Sequence, residues 1–173
     1  VTRGESHAGL QLQFSEGQFS GALVVPNVTL WWPHTHGDPA LYEVAANVRL
    51  AGEGQPIAVS LGRVGFRTLQ WDTADGNFAL AVNGVSVFCR GACWTPLDAV
   101  TLRGTAAEYA ATVGQVAAAG MNMLRIPGTM MYEEDAFFDA CDTQGVLVWQ
   151  DFMFANMDFP ADDPAFMDSV TTE

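Results

Sequence analysis

Residues 78–94 read FALAVNGVSVFCRGACW, and this stretch decides how the chain divides. Phe78–Val82 and Val85–Cys89 are short runs rich in β-formers, with Asn83-Gly84 between them. Asn-Gly is the favoured pair for a two-residue hairpin turn, because both central positions need positive φ. The run then stays apolar from Val87 to Trp94, which reads as a buried strand. Upstream of the hairpin the chain has one character, and downstream it has another.

Upstream, short alternating runs end in turn residues. Gly9–Phe14, Phe19–Val25, Leu41–Leu50, Ile57–Leu61 and Phe66–Trp71 read as strands. In the third, Tyr42, Val44, Ala46 and Val48 make an apolar face opposite a mixed one. Turn signals stand at Glu16-Gly17, His36-Gly37-Asp38-Pro39, Gly52-Glu53-Gly54 and Asp75-Gly76. Short strands with Gly-rich turns predict a β-sandwich over residues 1–76. Five strands are fewer than the about seven of such a sandwich, so its N-terminal strands are expected to be missing.

Downstream, the units lengthen. Thr105–Ala119 reads as a helix, with Thr105 as cap and Glu108 completing a capping box. Tyr109, Val113 and Val116 mark its inner face, and Gly120 stops it. Met121–Ile126 reads as a strand, broken by Pro127-Gly128. Glu133–Thr143 reads as a second helix with acids in its first turn, where they suit the helix dipole. Val146–Phe152 reads as a third strand, and Asp162-Asp163-Pro164 opens a further helix. Strand, helix, strand, helix, strand is a parallel α/β layout over residues 77–173. Three parallel strands leave both sheet edges open, so more strands are expected downstream.

The composition fits a globular chain. Of 173 residues, 49% are hydrophobic and 16% charged. That excludes a disordered tail. Twenty acids against seven bases give a net charge of −13, and all seven bases are Arg. Nucleic-acid and anionic-membrane binding both need a basic footprint, so neither is expected. Sugars, being neutral, stay open as partners. No stretch reaches the ~18 apolar residues of a membrane span. The three cysteines, Cys89, Cys93 and Cys141, read as reduced and mostly buried. Reduced thiols favour a reducing compartment, hence a cytoplasmic location.

Eight motifs then occur in order: Leu30-Trp31-Trp32-Pro33, Gly62-Arg63-Val64-Gly65-Phe66-Arg67, Val82-Asn83-Gly84, Arg90-Gly91-Ala92-Cys93-Trp94, Gly120-Met121-Asn122-Met123-Leu124-Arg125, Tyr132-Glu133, Cys141-Asp142 and Val148-Trp149-Gln150-Asp151-Phe152-Met153-Phe154. From about Leu30 onward, this order resembles glycoside hydrolase family 2, and within it the β-mannosidases and their relatives. The resemblance implies a fold class that is multidomain β plus α/β. An immunoglobulin-like β-sandwich (1–76) would be followed by the N-terminal part of a TIM barrel, about three βα units (77–173). It also implies a jelly-roll domain upstream and the remaining barrel downstream.

The resemblance implies a retaining exo-β-glycosidase acting on a carbohydrate substrate without a cofactor. One carboxylic acid protonates the leaving oxygen and a second carboxylate attacks the anomeric carbon. In the family the acid/base is the Glu of an Asn-Glu pair after barrel strand four, and the nucleophile is a Glu after strand seven. This sequence contains no Asn-Glu pair. Both catalytic Glu residues are therefore expected outside it, and the chain alone is expected to be inactive.

What remains is one wall of a site at the strand ends. The candidate substrate-binding residues are Trp94, Arg125 and Asp151. The resemblance sets Arg125 beside the nucleophile; the bland alternative pairs it with Asp98 or Asp151. Asp151 would accept hydrogen bonds from sugar hydroxyls, or serve as a cap or as the partner of Arg125. Trp94 would stack on a sugar face, or sit in the core. Trp149 reads as core, and Phe152, Met153 and Phe154 as packing. Trp31 and Trp32 read as core and interdomain packing rather than a sugar platform.

Other acids and histidines read blandly. His34 and His36 lack a third metal ligand, and no metal site is assigned. Glu133-Glu134-Asp135 reads as a helix first turn, and Asp158, Asp162 and Asp163 as a helix start rather than a calcium site.

Three positions depart from the β-mannosidase pattern: Cys93 in place of a common Asn, Pro127 in place of a Trp, and Asn156-Met157-Asp158 in place of a smaller, more apolar stretch. They bear on the sugar more than on the glycosidase assignment. Sibling specificities are β-galactosidase, β-glucuronidase and exo-glucosaminidase. A non-catalytic carbohydrate-binding or interaction module is the other class. An exposed Trp31/Trp32 pair would support that module, and burial of both would exclude it.

Overall fold

The computed structural model describes residues 1–49 and 55–172. Leu50, at the end of the third expected strand, and the Gly52-Glu53-Gly54 turn lie outside the described residues. In chain order the elements are β1 (Thr2–Arg3), β2 (Ser6–His7), β3 (Gln13–Ser15), β4 (Gln18–Ser20), β5 (Tyr42–Val48) and β6 (Ile57–Val64). Then come β7 (Leu69–Asp72), β8 (Ala79–Val82), β9 (Val85–Val87) and β10 (Gly91–Cys93). The series ends with α1 (Ala106–Ala118), β11 (Met123–Ile126), α2 (Asp135–Gln144), β12 (Leu147–Gln150) and α3 (Pro164–Thr172).

The first part is antiparallel. One sheet has the order β2-β1-β5-β6, and β3-β4 forms a separate ribbon. Glu16 and Gly17 both take positive φ between β3 and β4, as a tight hairpin turn requires. Phe14 and Phe19 face each other across that ribbon, with ring centroids 4.9 Å apart. The strands are shorter than the sequence pattern predicts. Residues 9–12 and 21–25 have strand-like composition, but they are not in a ladder. β-propensity describes fitness for a pleated surface, and a partner must supply that surface. β6 is exposed along its whole length. Among the described residues, no second sheet covers its apolar side chains Ile57, Val59 and Leu61.

The sheet β7-β8-β9 turns at Asn83-Gly84, both with positive φ, so the predicted hairpin is present. β7 pairs with β8 across the expected division at 76/77. The buried strand expected over Val87–Trp94 is corrected. Only Val87 and Trp94 are buried, Phe88 is 79% exposed, and β10 is confined to Gly91–Cys93. Residues 88–90 leave one sheet and enter the next, so no single surface covers both sides of them.

The second part is parallel, in the order β10-β11-β12. Its alternation of strand and helix is the one the sequence predicts. Thr105 caps α1, and Glu108 completes the capping box. Tyr109, Val113, Leu124, Ile126, Phe137, Ala140, Cys141 and Val146 form the core between sheet and helices. α2 ends at Gly145, whose φ of 69° is left-handed, as a C-terminal cap often is.

A second core joins the two parts. Trp31, Leu80, Val82, Val87, Met123 and Leu147 pack together. Around it, Trp31 Nε1 donates to the Asp142 carbonyl (2.8 Å) and the His34 N–H to the Gly145 carbonyl (2.9 Å). His34 Nε2 donates to the Met121 carbonyl (2.8 Å). Buried Asn122 accepts from the Arg90 N–H and donates to Thr35 Oγ1 and the Phe88 carbonyl. Trp31 thus packs in the core, as expected, and Trp32 is half-buried. The two histidines serve this loop: His36 Nδ1 shares a hydrogen bond with Thr35 Oγ1.

The cysteine reading is corrected in part. Cys141 is buried, but Cys89 and Cys93 are exposed. Cys89 lies in the crossing between sheets, and Cys93 ends β10 in register with Arg125.

Candidate functional site

The parallel sheet fixes which side chains share a face. Successive residues of a strand point to opposite faces, and in-register neighbours point the same way. Leu124 and Ile126 lie in the core beneath the helices, so Met123 and Arg125 point to the other face. On that face Met123 and Leu147 are covered by Leu80, Val82 and Val87. One step further along the strands, Cys93, Arg125 and Trp149 stand in register as a row. This row is exposed, with Trp149 at 41%.

Arg125 meets Asp151 just beyond the end of β12. Arg125 Nε donates to Asp151 Oδ1 at 3.1 Å and Nη2 to Oδ2 at 2.7 Å. This fork is the geometrically specific form of a guanidinium–carboxylate contact. The Gly128 N–H adds a third donor to Oδ2 at 3.3 Å. The Arg125 guanidinium lies 5.5 Å from the Trp149 ring centroid. Hydrogen bonding from Arg125 holds the Asp151 carboxyl below the usual carboxylate range, and the same contact raises the pKa of Arg125. Asp151 therefore stays a hydrogen-bond acceptor through neutral pH. The guanidinium has five N–H donors and uses two here. Together they offer a polar ligand both an acceptor and donors at the C-terminal end of the sheet.

The strands β11 and β12 continue into a joined lip. The Asp151 N–H donates to the Ile126 carbonyl (3.0 Å) and the Ala155 N–H to the Gly128 carbonyl (3.4 Å). A Cβ on Gly128 would overlap the Phe152 carbonyl oxygen, so this close approach requires glycine.

Trp94 is placed elsewhere. It is 5% exposed, packs 4.7 Å from Phe137, and donates from Nε1 to Glu133 Oε1 at 2.7 Å. The expected sugar stack is corrected, since the core occupies its ring. Glu133 is corrected too. It precedes α2, is 9% exposed, and also accepts from Tyr109 Oη at 2.7 Å. Burial and the bond to Glu133 push the Tyr109 pKa up to about 12.

Trp149 was expected in the core and is instead on the open face, 5.5 Å from Phe78. Phe152 was expected to pack, yet it is 77% exposed. Met153 does pack against the α/β core. Asp98 is not the partner of Arg125; it caps a turn by accepting from the Val100 and Thr101 N–H groups. Asp163 accepts from the Ala165 N–H and starts α3, as expected. Among the described residues no cluster of three metal-ligating side chains occurs.

The sequence model of Glycosyl hydrolases family 2 matches residues 2–67. Beta-mannosidase B of Aspergillus flavus is 40% identical over 153 residues, which is 86% of this chain and 18% of that protein. The chain belongs to glycoside hydrolase family 2. Within the family it is β-mannosidase-like. The crystal structure of the beta-D-mannosidase from Dictyoglomus thermophilum superposes with a TM-score of 0.77 at 34% identity, covering 90% of this chain and 20% of that one. The exo-chitosanase of Amycolatopsis orientalis gives a TM-score of 0.65 at 27% identity, over 80% and 16% of the two chains. The chain thus spans about a fifth of the length of the relatives it matches.

For this family 2 chain, sequence reasoning missed Gly128, Glu133 and the exposure of Phe152. Gly128 carried a usable signal: Pro127-Gly128 directly follows the strand that bears Arg125. Glu133 stood in the Tyr132-Glu133 motif, but its burial was not legible, because its two partners lie 24 and 39 residues upstream.

Proposed function

We propose that this chain is part of a retaining exo-β-glycosidase of β-mannosidase type, which hydrolyses terminal β-linked sugars through a glycosyl-enzyme. The observation that carries the reading is the position of Arg125 and Asp151 at the C-terminal end of the parallel sheet; their fork is the pairing expected of the bland alternative, and it brings the two groups together there. The β-mannosidase names of the relatives support the sugar. In this reading Arg125 steadies the nucleophilic carboxylate, and Asp151 accepts hydroxyls of the terminal sugar. The acid/base and the nucleophile are Glu residues outside the 173 residues. Protonation of the leaving oxygen and attack at the anomeric carbon come from those two groups, ~5–5.5 Å apart.

The same reading assigns residues 1–76 to an immunoglobulin-like sandwich and 77–173 to the first three βα units of a (β/α)₈ barrel. β10 and β12 each have one strand neighbour, which supports further strands on both edges. A jelly-roll domain upstream and a cytoplasmic location complete the proposal, with no cofactor, nucleic acid or membrane involved.

A sibling specificity, exo-glucosaminidase, is favoured by the likeness to the exo-chitosanase. A binding module built on Trp31 is disfavoured, since Trp31 is 1% exposed. The test is hydrolysis of aryl β-mannoside, galactoside, glucuronide and glucosaminide by this chain and by a version extended through a full barrel. Cleavage of the mannoside by the extended protein alone is expected. Cleavage by the 173-residue chain itself would overturn the assignment of the catalytic pair.

A further inference from the structure

Among the described residues Glu133 is the one buried carboxylate, and the site described above makes no use of it. Burying a charge is costly unless hydrogen bonds replace the water it loses. Here each oxygen receives one, Oε1 from Trp94 Nε1 and Oε2 from Tyr109 Oη, both at 2.7 Å. The three residues come from three segments. Trp94 directly follows β10, Tyr109 lies in α1, and Glu133 stands near the end of the loop from β11 to α2. The donors dictate the side chain. An indole N–H only donates, and Tyr109 Oη already accepts the Gly104 N–H at 3.1 Å, so its proton goes to Glu133. An amide in place of the carboxylate would turn its N–H groups toward one of these donors and leave a buried proton without an acceptor.

The carboxylate is joined to the frame of the site. Trp94 is fixed twice, its indole by Glu133 and its backbone N–H by the Arg125 carbonyl at 2.7 Å. Cys93, just before it, is in register with Arg125. The loop 127–133 continues from the strand that bears Arg125. It begins against Asp151, where the Gly128 N–H donates to Oδ2 at 3.3 Å, and it ends on Glu133. One carboxylate therefore ties the segment after β10 to the far end of the loop after β11. Arg125 bonds to the first segment through its carbonyl and runs into the second through its chain.

We propose that Glu133 is a positioning residue for the reaction. It acts through its tie to Trp94, which holds Arg125, and with it Asp151, in working geometry. The proposal rests on the glycosidase reading above and adds a residue on the helix side of the sheet. It needs Arg125 and Asp151 to serve the sugar, whichever β-linked sugar that is.

The experiment uses the parent enzyme that carries this segment, with the aryl β-glycoside it cleaves best. kcat/KM is read at a temperature where near-UV circular dichroism shows each variant folded. Glu133→Gln, equal in size, is expected to lower kcat/KM about tenfold, less than the about hundredfold of a 1 Å misplacement. Trp94→Phe cuts the same tie from its other end and is expected to cost about as much. It carries the same reading should Glu133→Gln fail to fold. The double variant is expected to lose no more than the worse single variant, because either change already breaks the tie. A purely structural carboxylate would lower Tm and leave the folded enzyme's kcat/KM alone. Values within about twofold of wild type for the folded single variants therefore overturn the proposal, whatever their Tm. So do losses that multiply in the double variant, which mark two independent injuries. A wild-type parent inactive on every aryl β-glycoside named above would instead overturn the glycosidase reading, and the proposal with it.

Discussion

Tyr109→Phe is the most informative single change in the α/β core. It deletes one oxygen and leaves the ring in place against Phe137. Tyr109 Oη makes two contacts: it donates to Glu133 Oε2 at 2.7 Å and accepts from the Gly104 N–H at 3.1 Å. The Gly104 end is only part-buried, so water replaces that bond at little loss. The Glu133 end is buried, and a carboxylate there keeps only the Trp94 donor. Hydrogen bonds to charged groups contribute about 1.5–3 kcal/mol, and this value is the expected loss. For a chain of this length it corresponds to a Tm lower by about 3–12 °C. Urea unfolding followed by Trp fluorescence measures it as a lower midpoint at unchanged slope. In a Glu133→Leu background the hydroxyl has already lost its acceptor, so Tyr109→Phe is then expected to be neutral or stabilising. A loss under about 0.5 kcal/mol in the wild-type background, or an equal loss in both backgrounds, would refute the buried-carboxylate argument.

Three further outcomes are expected. Asp151 has a folded-state pKa below that of an unfolded Asp, so its pairing is fully present above the unfolded value and is lost as pH falls through the depressed one. A carboxyl carbon NMR titration shows this low midpoint, and Arg125→Met moves it upward; an unmoved midpoint would sink the pairing. Exposed Cys89 and Cys93 react with dithionitrobenzoate in the native protein. Cys141, whose burial pushes its thiol up to about 12, reacts only on unfolding. Gly145→Ala puts a Cβ 2.6 Å from the His34 nitrogen and forces a non-glycine residue to φ 69°. The left-handed strain alone is about 1–2 kcal/mol, so a urea midpoint equal to wild type would contradict the docking of the His34 loop.

The parts of the fold that were legible in sequence are those set by neighbours along the chain. The Thr105–Glu108 capping box and the Asn83-Gly84 turn each need only two to four residues, and both are present. The βαβαβ order follows from local periodicity and is likewise present. Strand lengths in residues 1–76 were not legible, since pairing partners decide them: β5 is seven residues long because β6 pairs with it. β1 and β2, of two residues each, are too short to show a period. At the candidate site, Arg125 and Asp151 were readable as strand-end residues. Their mutual fork was one of two alternatives, and geometry alone chose it. Trp94 and Trp149 changed places between site face and core. Both are single aromatics at strand ends, and residue type does not say which face a side chain takes.

The two ends of the parallel sheet are treated differently, and this bears on how the site can vary. Attachments to the β-rich part gather at the strand starts. Asn122 immediately precedes β11, Gly145 lies two residues before β12, and Asp142 is near the end of α2. The Trp31 to Asp142 bond spans 111 residues of sequence, yet it links side chain to backbone, so it does not use the side chain at 142. The strand ends carry side-chain to side-chain contacts in Arg125–Asp151 and in the Phe152–Phe154 pair, whereas the strand starts mix both kinds, with Asn122 donating to Thr35 Oγ1. Cys93, Pro127 and the Asn156-Met157-Asp158 stretch, the three departures from the usual β-mannosidase pattern, all fall at this second end. Replacing only the exposed lip residues Met130, Phe152 and Met157 by Ser is expected to leave the unfolding free energy in urea within about 1 kcal/mol of wild type, whereas Gly128→Ala, whose Cβ would overlap the Phe152 carbonyl oxygen, is expected to lower it by more.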